Sequence, residues 1–128
     1  MIDIEIAREQ LRVGNVDGAV EKSRTTFNYL LDTGGMLWRG PAITVLVESL
    51  LARGGGADLE EAHDTIGRLE AVTEPGFVFH ELPLLRLRAL LARTRGDAAS
   101  YREYRDRYRA MATSRGFEGH IAWAEAMS

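Results

Sequence analysis

Three stretches of this chain align on a glycine turn that closes one helix-like segment and opens the next. They are Leu11-Arg-Val-Gly-Asn-Val-Asp-Gly-Ala19, Leu51-Ala-Arg-Gly-Gly-Gly-Ala-Asp-Leu59 and Leu91-Ala-Arg-Thr-Arg-Gly-Asp-Ala-Ala99. The turn glycines Gly14, Gly56 and Gly96 stand 42 and 40 residues apart. A repeat of that length marks supersecondary units that must stack, because none buries its apolar face alone. Each turn leads into a residue suited to cap a helix start: Asn15 or Asp17, then Asp58, then Asp97. Asp58-Leu-Glu-Glu61 also has capping-box spacing, with a carboxylate at each end.

Between the turns the apolar residues recur with helical spacing. Ile4, Ala7 and Leu11 mark a first helix. Val16, Ala19, Val20, Ser23, Phe27, Leu30 and Leu31 mark a second, ended by Gly34-Gly35. Pro41 stands where a first-turn proline belongs, ahead of Val45, Leu46 and Leu50 of a third. Leu59, Ala62, Ile66 and Leu69 face one side of a fourth, which Pro75-Gly76 stops. A fifth runs from about Pro83 through Leu84, Leu87, Leu90 and Leu91, and a sixth carries Tyr101, Tyr104, Tyr108 and Met111. Ile121, Ala122 and Ala124 belong to a short seventh. Phe77-Val-Phe79 is the one β-like run, too short to build a sheet. The expectation is an all-α single domain over 1–128, with three antiparallel helical hairpins at about 2–34, 40–73 and 82–115 and a capping helix at about 118–127. An ordinary helical bundle is the competing all-α arrangement.

Composition narrows the function classes. At 128 residues the chain has one domain's worth of core, and its net charge of −3 argues against a general nucleic-acid or membrane-surface binder. No cysteine is present, so disulfides and thiolate zinc sites are excluded, in keeping with a reducing compartment. Met1-Ile-Asp-Ile-Glu-Ile lacks the basic start of a signal peptide, and no apolar run approaches the ~20 residues of a membrane span. A cytoplasmic protein is expected.

Several motifs have the residue types of a reactive site, and each has a plainer structural role. Glu60-Glu-Ala-His63 contains the Glu-x-x-His unit of di-iron bundles, but one copy cannot build such a site and the pattern turns its carboxylates to solvent. His80-Glu81 and Glu118-Gly-His120 are spaced wrongly to orient one another as acid and base, and no nucleophile accompanies them. The run Arg53-Gly-Gly-Gly56 precedes a helix but lacks the Lys-Ser/Thr of a phosphate loop. No catalytic, cofactor or metal residue is assigned, and no enzyme is expected.

Two surfaces remain. Met36-Leu-Trp-Arg-Gly-Pro41 places large apolar groups in an expected loop, which should fold back over the first hairpin; otherwise Met36, Trp38 and Arg39 form a partner-binding surface. In the sixth helix Arg102, Arg105 and Arg109 run beside the tyrosines, and residues 101–115 hold five Arg against Glu103 and Asp106. Arginine beside aromatics can bind nucleic acid, but a packed tyrosine stripe with a solvated basic flank is the better reading.

The hairpin stack resembles tetratricopeptide repeats, with a longer period and with the consensus Trp and Pro positions mostly unfilled. More specifically, the stretches GNVDGAV, TGGMLWRGPAITVLVESLLARG, GFVFHELPLLRLRALLARTRGD and YREYRDRYRAMATSRGFEGHIAWAEAM resemble the C-terminal region of large actinobacterial, especially mycobacterial, proteins. Those proteins join a class III adenylate/guanylate cyclase domain, an AAA-like ATPase module and a tetratricopeptide-like tail. Related tails occur on LuxR-type transcriptional regulators. The resemblance implies a non-catalytic regulatory and protein-interaction domain, because neither the cyclase's metal-binding aspartates nor a phosphate loop has a counterpart here. Its partners would be another protein, the ATPase or cyclase modules of the parent, or a second copy of the chain. A small-molecule effector module, with Trp38, Phe77, Phe79 and Trp123 lining a pocket, is the alternative.

Overall fold

The computed structural model describes residues 2–127, and among them it contains seven α-helices and no strand. In order they are α1 (Ile2–Arg12), α2 (Val16–Thr33), α3 (Met36–Arg53), α4 (Gly56–Val72), α5 (Val78–Thr94), α6 (Ala98–Arg115) and α7 (Glu118–Ala126). None is long and apolar enough to cross a membrane. The helices gather into two compact units, Met1–Thr73 and Glu74–Ser128.

Glycine sets the helix lengths. Gly14, Gly34, Gly54, Gly76, Gly96 and Gly116 all have positive φ, and they fall 20 or 22 residues apart. At Gly34, Gly54 and Gly116 the left-handed residue ends a helix and its N–H returns to a carbonyl of the last turn. The second turn therefore rests on Gly54, at φ 73°, and not on Gly56, which opens α4. Asn15 and Asp97 cap α2 and α6 as expected, accepting from the Gly18 and Ser100 N–H groups at 3.1 Å each. Asp58 is displaced from its expected place. It lies inside α4, and its Oδ2 reaches back to the Gly55 N–H at 3.1 Å, the reverse arm of a capping box.

In the first unit α3 is the interior helix. It packs on α1, α2 and α4, and Ala42, Ile43, Val45, Leu46, Val47 and Leu50 are all buried. A helix apolar on nearly every side has to be enclosed, and its neighbours supply one stripe each. Ile4 and Ala7 come from α1, Val20, Phe27 and Leu30 from α2, and Ala62, Ile66 and Leu69 from α4. Charged side chains tie the outer layer. Arg24 of α2 donates to both Glu61 oxygens of α4 at 2.7 and 2.6 Å. Arg53, at the end of α3, bonds Asp58 of α4 and Asp17 of α2 at 2.8 and 2.9 Å.

The start of α3 differs from expectation. The helix begins at Met36, so Pro41 lies inside it and the Met36–Arg39 segment is helical. Pro41 removes the bond that would return to the Leu37 carbonyl, and something else must hold the extra turn. That is Arg39. It is buried, and its Nε and Nη2 donate to the Leu30 and Leu31 carbonyls at 3.1 Å each, satisfying the end of α2. Burial is thus inverted: the arginine is inside, while Met36, Leu37 and Trp38 are 43%, 75% and 44% exposed. These three do not fold back over the first hairpin.

In the second unit α5 pairs with α6, and α7 packs on α6. Here too the helix starts early, at Val78, which absorbs Val78 and Phe79 of the β-like run and places Pro83 inside α5. Leu82, Leu87, Leu90 and Leu91 are buried on α5. Of the tyrosine stripe on α6, Tyr101 and Tyr108 are buried, Tyr104 only half so, and Ala112 continues the stripe in place of Met111.

Replacing Leu46 by Ala should cost about 3 kcal/mol, since the site lies at the centre of the first unit and cannot collapse. Arg39→Met should cost roughly 2 kcal/mol by removing two hydrogen bonds from a buried cation to helix-end carbonyls. Urea titrations followed by circular dichroism would measure both.

Candidate functional site

Two places carry side chains that the fold has not fully absorbed. The first is the outer face of α1 with the turn that follows it, where Ile2, Ile6 and Val13 are 76%, 40% and 62% exposed. Successive turns bring them onto one side, and with Glu5, Glu9 and Gln10 they line a groove of about 490 Å³. The carboxylates of that groove are engaged locally. Glu5 takes Arg8 Nη1 at 2.8 Å, and Glu9 is bridged by both donors of Arg12, which holds its carboxyl below the usual range. The Gln10 Oε1 is buried without a hydrogen-bond partner. The exposed turn Met36–Trp38 belongs to the same unit.

The second place is an aromatic cluster in the Glu74–Ser128 unit, where α7 meets α5 and α6. Phe77, Phe79, Phe117, His120 and Trp123 form a chain of tilted and edge-on ring contacts, with centroid separations of 5.8, 5.7, 6.2 and 5.1 Å. Phe79 and Trp123 are 59% and 48% exposed. The Arg86 guanidinium lies over the Trp123 ring at 4.7 Å. The Tyr108 hydroxyl and His120 Nδ1 are 2.6 Å apart. Burial pushes the Tyr108 phenol up to about 12. Burial also lowers the His120 imidazole, and the nearby Arg86 cation acts in the same direction. At neutral pH the pair is therefore an uncharged phenol and an uncharged imidazole. Phe117, Glu118, Gly119, His120 and Trp123 border a shallow pocket of about 310 Å³.

The stretch Gly-Phe-Glu-Gly-His is thus a helix start. Gly116 ends α6 at φ 71°, Glu118 is exposed in the first turn of α7, and His120 is held by Tyr108. The remaining motifs resolve as local structure as well. Glu81 accepts from the Gly76 N–H and closes the turn before α5. His80 is buried with its ring 4.6 Å from Phe77. Glu60, His63 and Asp64 are exposed, and among the described residues no three His, Asp or Glu side chains gather where they could hold a metal. At Gly54–Gly56, Asp58 takes the Gly55 N–H and Arg53 is held by two carboxylates, so the run already carries anions of its own.

The sequence-predicted interaction residues divide between the units. Met36 and Trp38 are exposed on the first unit, while Arg39 is withdrawn into the α2–α3 junction. On α6, Arg102 is exposed. Arg105 bonds Asp106 at 3.1 Å and lies 5.7 Å from the Tyr101 centroid. Arg109 makes long bonds to the Ala124 and Met127 carbonyls, 3.4 and 3.5 Å, at the end of α7. Two of the three basic side chains are therefore turned to neighbours of their own unit. Arg86 and the α1 face were not singled out from sequence. The spacing of Ile2, Ile6 and Val13 was a usable signal, but it overlapped the core stripe of Ile4, Ala7 and Leu11.

Comparison with family models, with curated proteins and with solved structures returns no match for this chain.

Tyr108→Phe keeps the ring and removes the hydroxyl, leaving His120 Nδ1 without that partner. A loss of about 1 kcal/mol is expected, measurable as a lowered urea midpoint with unchanged slope.

Proposed function

We propose that this chain is a non-catalytic helical-repeat domain for protein interaction and regulation. Its hairpins form a degenerate tetratricopeptide-like array with a capping helix, of the kind that ends actinobacterial cyclase–ATPase proteins. The observation that carries the reading is the outer face of α1, where three apolar side chains at helical spacing remain exposed beside a groove. In a stacked array each hairpin presents such a face to its neighbour. The packing of α1 on both α2 and α3 fits that scheme, as do the left-handed glycines at nearly constant interval. The partner of that face would be the ATPase or cyclase module of a parent signalling protein in the cytoplasm. Conversion of ATP to cyclic AMP would then be the parent's chemistry, carried by another domain.

The 310 Å³ aromatic pocket beside α7 favours a second reading, a small-molecule effector module. Binding to the folded state alone would raise the melting temperature with ligand concentration. A LuxR-type parent would change the output but not the role of this part.

The interaction reading is tested with purified ATPase and cyclase modules of a resembling cyclase–ATPase protein, titrated against the immobilised chain. Saturable binding that weakens roughly tenfold or more in Ile6→Asp and Val13→Asp is expected, since apolar anchors dominate such contacts. Both positions are exposed, so the fold should survive, and circular dichroism would check it. No binding to either module, together with a melting temperature raised by a nucleotide or metabolite, would replace this reading with the effector module.

A further inference from the structure

We propose that α7 is an acid-released latch: protonation of His120 weakens its docking on α6 and uncovers the strip formed by Tyr108 and Ala112. The helix has nine residues, and helices shorter than ~12 residues are marginal in water on their own. Its order must come from what it touches. Ala124 and Met127 are buried, the Tyr108 hydroxyl meets His120 Nδ1 at 2.6 Å, and Arg86 of α5 lies over Trp123. Arg109 of α6 reaches the carbonyls at the far end of α7.

Charged and titratable groups face the imidazole from each helix packed against it. From α5 comes Arg86, whose guanidinium stacks on Trp123, itself in edge contact with His120 at 5.1 Å. From α6 come Tyr108, which stays a phenol, and Arg109. From α7 itself comes Glu118, which is exposed to water. A proton on His120 would therefore sit near the Arg86 cation, while Glu118 on its own helix is exposed to water. Neutral Nδ1 can accept from the Tyr108 hydroxyl. Once protonated it becomes a donor, and the hydroxyl must turn to receive it.

The direction follows from linkage. Docked, the imidazole is held below its ordinary value of ~6.5 by burial and by Arg86. Released, it returns to that value. Docking is thus fully favoured above the ordinary value and is lost progressively as pH falls towards the lowered one. One proton is coupled, so the docking constant drops by at most about tenfold per pH unit.

Hydrogen exchange of the α7 amides, corrected for intrinsic rates, reads this directly between about pH 7.5 and about pH 5. A Trp38→Phe background leaves Trp123 as the sole tryptophan and a second reporter. Protection in α7 should fall on acidification, with a red shift of Trp123 emission, while the α5 amides keep theirs. His120→Gln retains an acceptor for Tyr108 but cannot take up the proton, and its α7 protection should not vary with pH. If that variant is unlatched at every pH, Arg86→Met decides. Without the cation the ratio of protection at high and low pH should shrink, whatever its absolute level. The latch is overturned by α7 protection that does not change with pH in the parent, or by a loss shared equally with α5. An unaltered pH response in His120→Gln, or an unaltered ratio in Arg86→Met, would overturn it as well.

Discussion

Between Pro41 and Arg53 the chain has one charged residue, Glu48, and eight aliphatic or alanine side chains. Such a helix cannot be left in water, and the first unit is built around hiding it. Each burial of a leucine or isoleucine there contributes about 2 kcal/mol, so α1, α2 and α4 are held chiefly by what they cover on α3. The consequence for the outer helices is that each needs only one apolar stripe. Their other faces are free to carry charge, and Arg24–Glu61 and Arg53 with its two aspartates occupy them. On α1 the freedom is used differently. A second apolar set, Ile2, Ile6 and Val13, lies outside the core stripe of Ile4 and Ala7.

The all-α architecture was legible because its two determinants are local. Glycine at left-handed φ is a single-residue requirement, and apolar spacing within a helix needs no tertiary knowledge. What could not be read locally was how far a helix runs past a proline. Pro41 and Pro83 both looked like helix starts, since a proline at the first position loses nothing. In α3 the turn before the proline survives because Arg39 crosses to α2 and takes the Leu30 and Leu31 carbonyls. That contact spans two helices and leaves no trace in the spacing. The same contact decided the fate of the residues around it. With Arg39 committed inward, its neighbours Met36, Leu37 and Trp38 point out, whereas a loop would have let the apolar groups bury and the arginine stay wet.

The second unit shows the converse. Sequence reading placed the tyrosines of α6 in a stripe and the arginines at its edge, and the buried Tyr101 and Tyr108 agree with that. It missed what makes the stripe particular, because the partners of Tyr108 and Arg109 come from a helix that begins after the next glycine. His120 had been considered beside Glu118, its neighbour in the chain. On a helix residues two apart face different ways, and the imidazole instead meets a hydroxyl 12 positions earlier.

These placements bear on what kind of function the chain can have. Three of the shifted groups are turned onto neighbouring structure. Tyr108 is wholly buried, His120 is turned onto it, and Asp58 is spent on a backbone N–H and an arginine. Their perturbed equilibria therefore report on docking of one element against another. Among the charged residues of the surface, Ile2, Ile6, Val13, Met36, Leu37, Trp38, Phe79 and Trp123 are exposed as well. Tyr108, His120 and Asp58 thus act as fasteners within their own units, and the exposed apolar side chains are the surface on which the proposed interaction rests.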